Sequence, residues 1–152
     1  MVTKPPTLEE LTAYRDRFMA GFPTPTSAQF LGFDVVEVDV EAGTATIDFL
    51  ATDRMLNPAQ KVQGGILTAM MDDTMGPLMH IMSAGRMMPS TTDIHTQFHR
   101  PGLPGPMRCT ARITRMGATL CTSSAELFND RGKLLASAIQ TAMMLPFSPP
   151  QK

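Results

Sequence analysis

Residues 64–83 read GGILTAMMDDTMGPLMHIMS, and this stretch decides the fold. It is rich in helix-forming residues, and apolar side chains fall on nearly every face of the helix they would make. A helix that is apolar all round lies inside a protein rather than on its surface. We therefore predict a long central helix that the rest of the chain must surround.

Strand-like runs follow this helix. Four of them lie near residues 89–100, 106–116, 119–129 and 133–145. Turn signals separate them at Pro101-Gly102, at Gly117 and at residues 130–132. These runs are predicted to wrap the helix.

Two more strands precede the helix. Residues 34–41 alternate between apolar and acidic side chains, with Val36, Val38 and Val40 on one face, and residues 44–50 alternate again. Gly43 lies between the two runs, so we predict an antiparallel hairpin. The inward side chains of its second strand would be Ala45, Ile47 and Phe49.

The first helix is predicted from a capping box, because Thr7 and Glu10 have its spacing. Gly21 and Pro23 would end this helix, and a short turn is predicted over residues 27–32. The apolar face of the first helix would consist of Leu8, Leu11 and Phe18. Residues 1–6 are expected to be a disordered leader.

The element order is helix, two strands, long helix, four strands, without βαβ alternation. This order predicts an α+β domain whose antiparallel β-sheet curls around the central α-helix, and it disfavours a parallel nucleotide-binding fold. We divide the chain into an N-terminal leader and helix (residues 1–27), a main domain (residues 28–146) and a loose C-terminal tail (residues 147–152).

Composition excludes several classes of function. The chain has 152 residues with a formal net charge of -1 and 18% charged residues, so no basic surface for nucleic acid or an anionic membrane is expected. Its two cysteines exclude a disulfide framework and are expected to stay reduced. No run has the length of a signal peptide or a membrane span, which predicts a cytoplasmic protein.

Two carboxylates, Asp72 and Asp73, lie in the middle of the apolar helix. A buried carboxylate needs strong hydrogen bonds or acquires a raised pKa, and such a group suits general base catalysis near neutral pH. The alternative is that one or both reach solvent, since Gly76-Pro77 follows and Pro77 cannot donate to the carbonyl of Asp73. The helix alone leaves both interpretations open.

Gly64 and Gly65 precede the helix and would allow a substrate to approach the backbone closely. Unpaired N–H groups at a helix start can polarise a carbonyl as its oxygen gains negative charge. A pair of glycines by itself is most often only a turn.

Taken together, these residues resemble a known family. Asn57, six loop residues, Gly64-Gly65 and an acid eight positions after Gly64 are similar to the motif N-x-x-G-x-x-H-G-G-x-x-x-x-L-x-D of hotdog-fold acyl-CoA thioesterases of the PaaI-like (phenylacetate-pathway) type. The segment DIHTQFHRP at residues 93–101 resembles the strand after the family's helix, and the resemblance covers roughly residues 28–146. Gln63 and Gln60 replace the His and the first Gly of the motif.

The resemblance implies a hotdog fold and hydrolysis of an acyl-CoA thioester, with an aromatic or medium-chain acyl group among the options. It implies that Asp72 is the general base or nucleophile and that the backbone N–H of Gly64 holds the thioester oxygen. Asn57 would position the thioester or water, and Thr91 would orient the water. The neighbouring positions that would contact substrate are Gln63, Gly65 and Asp73, of which Asp73 is the second candidate for the base.

The resemblance also implies homodimers joined edge to edge, with Asp72 from one chain and Gly64 from the other in each site, and tetramers made of two dimers. It implies no metal and no redox cofactor, since coenzyme A is part of the substrate. Two rival functions remain. A non-catalytic acyl-CoA-binding protein is compatible with Gln63, whereas a hotdog hydratase or dehydratase would need a His that the motif position lacks.

Several other residues are candidates for a functional role but have an ordinary structural explanation as well. His95 and His99 would be about 13 Å apart on one strand, too far to share a metal, and His80 is given no catalytic role. The C-terminal arginines could meet the phosphates of coenzyme A or simply be solvated, and they are Arg100, Arg108, Arg112, Arg115 and Arg131. The methionines of the central helix could line an acyl pocket or pack in the core, and they are Met70, Met71, Met75, Met79 and Met82.

Overall fold

The protein is described here by a computed structural model that covers residues 4–147. Its elements follow the predicted order. They are α1 (Leu8–Gly21), α2 (Thr26–Leu31), β1 (Asp34–Asp39), β2 (Thr44–Ala51), a 3-10 turn (Asp53–Met55), α3 (Gly64–Met82), β3 (Met87–Phe98), β4 (Gly105–Met116), β5 (Leu120–Asn129) and β6 (Leu134–Pro146). Most of the predicted C-terminal tail and the first half of the predicted leader lie outside the described residues.

The six strands form one antiparallel sheet in the order β1-β2-β4-β5-β6-β3. The central helix α3 packs on one face of this sheet and contacts every strand from β2 to β6. The predicted α+β architecture, with an antiparallel sheet around a long central helix, is confirmed. Strands β1 and β3 are the two edges.

The core lies between α3 and the inner face of the sheet. Ala45, Ile47 and Phe49 point inward from β2 as predicted, because residues at alternate positions share one face of a strand. Four methionines of α3 are fully buried in this core, namely Met70, Met71, Met75 and Met79. Met82 is partly buried against the same core. The methionines of α3 therefore pack in the interior, and none of them lines the cavity beside the carboxylates described below.

Two predicted core positions are wrong. Val36 is 44% exposed, because a register shift between Val35 and Glu37 interrupts the pairing of β1 with β2 and reverses the alternation at this point. Leu8 is 51% exposed, because only the middle of α1 reaches the core, at Leu11. The capping box of Thr7 with Glu10 is confirmed.

His80 anchors α1 to the end of α3. Its Nδ1 lies 2.7 Å from the carbonyl oxygen of Met87, which can only accept, so Nδ1 carries the proton and Nε2 accepts from the Tyr14 hydroxyl at 2.6 Å. Burial lowers the pKa of His80, which agrees with this neutral form. His80 is therefore a structural residue, as expected from its place two turns beyond the carboxylates.

The two cysteines are free and buried. Burial raises the pKa of Cys109 to about 12 and that of Cys121 to about 11, so neither thiol is a reactive thiolate in the folded protein. Within residues 4–147, no helix has the length and apolar character needed to cross a bilayer.

Candidate active site

Asp72 is held by side chains from two strands. Thr91 on β3 donates its hydroxyl to Oδ1 of Asp72 at 3.1 Å, and the Gln140 amide on β6 donates to the same oxygen. The Gln140 Nε2 also donates to the Thr91 hydroxyl oxygen at 2.6 Å. No other residue of the described chain donates to either oxygen of Asp72, so Oδ2 is left free beside the cavity.

An irregularity in the edge strand brings Thr91 to this position. The register between β3 and β6 shifts between Thr91 and Asp93, which is a β-bulge. A bulge bends a strand and redirects its side chains, and such features commonly occur beside functional sites. Thr91 therefore faces α3, and the structure brings together the two predicted residues Asp72 and Thr91.

Gln140 is a site residue that the sequence reasoning missed. It lies on the inner face of β6 between Ala138 and Ala142, and all three are buried. A glutamine in a row of small apolar side chains was the available signal, because buried polar side chains are uncommon and need partners. That signal depends on knowing which face of β6 meets α3.

Asp73 occupies a different environment. Its Oδ2 is buried and has no hydrogen-bond partner among residues 4–147. Burial, and then the neighbouring charge of Asp72, raises the pKa of Asp73 to about 6. The two adjacent carboxylates are thus distinct, since Asp72 has side-chain hydrogen-bonding partners and Asp73 has none among the described residues.

We expect Asp73→Asn to stabilise the fold above about pH 6 and to have little effect below about pH 4. The pKa of Asp73 rises from 3.8 to about 6 on folding, so the folded state holds the proton more tightly and loses stability as pH rises through that window. After allowance for solvent screening, the gain at pH 8 should be roughly 1 kcal/mol. Urea unfolding of the wild type and Asp73→Asn at pH 8 and at about pH 4 measures the difference in the free energy of unfolding. A stabilisation of equal size at both pH values would contradict the raised pKa of Asp73.

A cavity of about 500 Å³ opens beside the two carboxylates. Its walls come from α1, α2, β1, α3 and the start of β3. Its apolar lining includes Phe18, Phe22, Phe33, Pro77 and Met88, and its charged lining consists of Asp34, Asp72 and Asp73. The volume lies within the usual range for small-molecule sites, which are mostly apolar with a few polar groups.

The loop before α3 carries the other motif residues. The Asn57 side-chain oxygen accepts from the backbone N–H groups of Ala59 at 2.9 Å and Lys61 at 3.2 Å, so this oxygen organises the loop. Gln60 has a φ of 59°, in the left-handed region that favours glycine, which explains why the motif has Gly at that position. Gln63 is exposed at the N-cap of α3 and makes no side-chain capping bond.

Gly64 and Gly65 start α3, and neither donates its N–H to another described residue. Their N–H groups are thus free donors at the positive end of a helix dipole. Gly64 precedes Asp72 by eight residues, which places them about 12 Å apart along the helix axis. The structure therefore does not bring Gly64 and Asp72 together within one chain.

The remaining candidates lie elsewhere. His95 and Arg112 line a depression on the outer face of the sheet, and Arg108 pairs with Asp48 on that face. His99 contacts the Ser137 hydroxyl at 2.8 Å. Within residues 4–147, no group of three His, Cys, Asp or Glu side chains is placed to hold a metal ion.

Comparison with known protein families shows which family the chain belongs to. The sequence model described as acyl-CoA thioesterase C-terminal domain matches residues 3–144. The chain belongs to the acyl-CoA thioesterase family. The thioesterase is also 40% identical to a phenylacetic acid degradation-related protein of Ralstonia eutropha JMP134, with a TM-score of 0.81 over 86% of this chain and 98% of that chain.

Two more distant structures share the fold of the thioesterase. The PaaI protein of the E. coli phenylacetic acid degradation operon is 20% identical, with a TM-score of 0.75 over 92% of this chain and 96% of that chain. A Streptococcus mutans UA159 protein solved with acetyl CoA is 19% identical, with a TM-score of 0.69 over 77% of this chain and 91% of that chain. A comparison with curated proteins found no match. The PaaI-like resemblance and the hotdog fold are confirmed, and the enzyme is a thioester hydrolase.

Proposed function

We propose that this thioesterase hydrolyses acyl-CoA thioesters with neutral acyl groups and that Asp72 is its general base. The observation that carries the proposal is the carboxylate of Asp72, held through Oδ1 by Thr91 and Gln140 at the wall of an apolar cavity. A carboxylate fixed through one oxygen can present the other to a water molecule. Asp73 lacks such partners in the part of the chain that the structure describes, which favours Asp72 for this role.

In the proposed reaction, the acyl group enters the cavity and the thioester carbonyl lies next to Oδ2 of Asp72. A water molecule attacks the carbonyl carbon as Oδ2 takes one of its protons, which forms a tetrahedral oxyanion. Collapse of this intermediate breaks the C–S bond, and the thiolate of coenzyme A leaves and takes the proton from Asp72. The products are a free acid and coenzyme A, and no redox step or metal is required.

The oxyanion also needs a hydrogen-bond donor, the role that the family motif gives to the backbone N–H of Gly64. Gly64 has a free N–H but lies about 12 Å from Asp72 along α3. Strand β3 is an edge with one unpaired side, and Phe98 at its end is 55% exposed. Unpaired edges are templates for pairing with another chain, so we propose a dimer through β3 in which Gly64 of one protomer faces Asp72 of the other.

We expect Gly64→Pro to lose about 100- to 1,000-fold in kcat, the usual effect of removing one oxyanion donor. Proline is well suited to the first position of a helix, and the preceding Gln63 has φ -56° and ψ 133°, which proline tolerates. Gly64→Ala is the matched control, since it adds a Cβ but keeps the N–H. A Cβ there would lie 3.0 Å from Cζ at the far end of the Phe98 ring, so this side chain has to shift by only a few tenths of an ångström.

Mixing subunits then tests the shared site. Gly64→Pro and Asp72→Asn should each be inactive alone, but a 1:1 mixture refolded together should regain about a quarter of the wild-type activity, because half of the random dimers have one intact site. Activity that stays near zero in dimers shown to be mixed would place both residues of each site in one chain and contradict the proposed dimer.

The acyl group is proposed to bind among the aromatic side chains of the cavity. Among its lining residues, the three charged side chains are all carboxylates, Asp34, Asp72 and Asp73. A like charge placed against them would be strongly disfavoured. The cavity therefore suits neutral aliphatic or aromatic acyl groups.

We expect butanoyl-CoA to be hydrolysed with a kcat/KM at least about tenfold higher than that of succinyl-CoA, which has the same number of acyl carbons but a terminal carboxylate. Release of free coenzyme A measures both reactions, and the buried protein thiols do not interfere in the folded state. Equal efficiency with the two substrates would show that the acyl group binds elsewhere.

A further inference from the structure

The Gln140 amide belongs to the site, but it lies outside the motif by which the sequence resembles its family. Its residue is 2% exposed and lies on the inner face of β6, where its neighbours on the same face are Ala138 and Ala142. Placing a polar amide in such an apolar row is costly unless its hydrogen bonds are satisfied. Its contacts therefore show what the residue does.

All the donors of this amide are used by the site. One N–H goes to Oδ1 of Asp72, and the other goes to the Thr91 hydroxyl oxygen at 2.6 Å. The orientation of the amide is fixed chemically, because a carboxylate can only accept and so must face the nitrogen. The amide oxygen faces the hydroxyl of Ser123 at 3.5 Å, which is a weak contact.

We propose that Gln140 is a positioning residue that holds the general base of the hydrolysis. It binds Oδ1 of Asp72 directly and also orients Thr91, the second donor to the same oxygen, so that Oδ2 faces the cavity. This inference rests on the proposed function of Asp72. Gln140 itself touches neither water nor substrate in the proposed reaction, and it acts through the carboxylate.

Several titratable groups surround Asp72, and they define what a pH profile can report. Asp73 and His80 on α3 and Asp34 on β1 line the same cavity. The lining residues from α1, α2 and β3 are uncharged, as are Ser123 on β5 and the neighbours of Gln140 on β6. Changes at Gln140 leave all of these acids in place, so a change in the pH profile is assigned to the link between Gln140 and Asp72.

The first variant is Gln140→Leu, which keeps a similar volume and removes both donors. We expect kcat to fall about 10- to 100-fold, the range associated with a hydrogen bond to a charged group, while KM changes less than about twofold. The acidic limb of the kcat profile should move to higher pH, because the ionised carboxylate loses a donor. Thermal unfolding should fall only modestly, since the apolar side chain suits this buried position whereas Oδ1 of Asp72 loses one of its two donors.

The second variant, Gln140→Glu, keeps the shape of the side chain but places a second carboxylic acid against Asp72. Two carboxyl groups in contact share one proton, so the acidic limb should move further to high pH than in Gln140→Leu. Thr141→Val is the matched control, because Thr141 is the adjacent residue on the opposite face of β6 and its hydroxyl makes no hydrogen bond among residues 4–147. Its kcat and pH profile should match those of the wild type.

A folded Gln140→Leu protein with wild-type kcat and an unmoved acidic limb would overturn the inference and leave Gln140 a packing residue. If Gln140→Leu does not fold, Gln140→Glu decides by the same two readouts. Failure of the proposed function is distinguishable, because it would show as an absence of turnover in the wild type or as full activity in Asp72→Asn. An inactive Asp72→Asn beside a fully active Gln140→Leu would reject only the role of Gln140.

Discussion

Asp72→Asn is expected to lower kcat about 100- to 10,000-fold while the fold and the affinity for acyl-CoA are retained. General base catalysis contributes about this factor, and an amide cannot take the proton of the attacking water. The fold should survive because asparagine has the same shape and its oxygen can still accept from Thr91 and Gln140. Release of coenzyme A under saturating substrate measures the loss, and thermal unfolding checks the fold.

Asp73→Asn is the matched control for this result. The two carboxylates are neighbours on α3, but only Asp72 has hydrogen-bonding partners, whereas Oδ2 of Asp73 has none among the described residues. We therefore expect Asp73→Asn to lose no more than about tenfold in kcat. A larger loss in Asp73→Asn than in Asp72→Asn would transfer the role of the base to Asp73.

Gly85→Ala is expected to have the largest effect on stability, about 2–4 kcal/mol. Gly85 has a φ of 72°, which is unfavourable for alanine, and an added Cβ would lie 2.0 Å from Cε2 of Tyr14. Tyr14 is rigid here, because its hydroxyl binds the buried His80. The substitution should therefore displace α1, which forms part of the cavity wall, and weaken discrimination among acyl groups.

Gly132→Ala separates strain from collision in this prediction. Gly132 has a φ of 68°, similar to that of Gly85, but no atom of residues 4–147 lies within 4 Å of an added Cβ. Its cost should be only the backbone strain of roughly 1–2 kcal/mol. Urea unfolding of the two variants compares them directly. Equal losses would mean that Tyr14 moves freely and that α1 is not held by this contact.

Much of the fold could be predicted from the sequence, because it depends on local periodicity. The helix over residues 64–83 and the hairpin around Gly43 follow from apolar patterns that need no tertiary information. Val36 was predicted on the wrong face because a bulge in β1 is set by its pairing with β2, which no local pattern shows. Leu8 was wrong for a similar reason, since burial on α1 depends on where the helix meets the core.

The candidate site was predictable only in part. The sequence pattern indicated two carboxylates within an apolar helix and unpaired N–H groups at the start of that helix. The family motif then selected Asp72 from the two carboxylates. The hydrogen-bonding partners of Asp72 could not be predicted in this way. Its contact with Gln140 joins residues 68 positions apart and depends on the register of β6 in the sheet. The cavity could not be predicted either, since its wall includes α1, and the sequence analysis had placed this helix outside the main domain. That domain boundary, and the dimer, remain predictions.

The central claim is that the chain turns acyl-CoA over rather than only binding it. The most direct test measures release of coenzyme A from phenylacetyl-CoA and hexanoyl-CoA by the wild-type protein, beside calorimetric binding of the same ligands to Asp72→Asn. We predict multiple turnovers by the wild type and binding without turnover by the variant. Binding by both proteins with no release of coenzyme A from either substrate would contradict the claim and identify an acyl-CoA-binding protein.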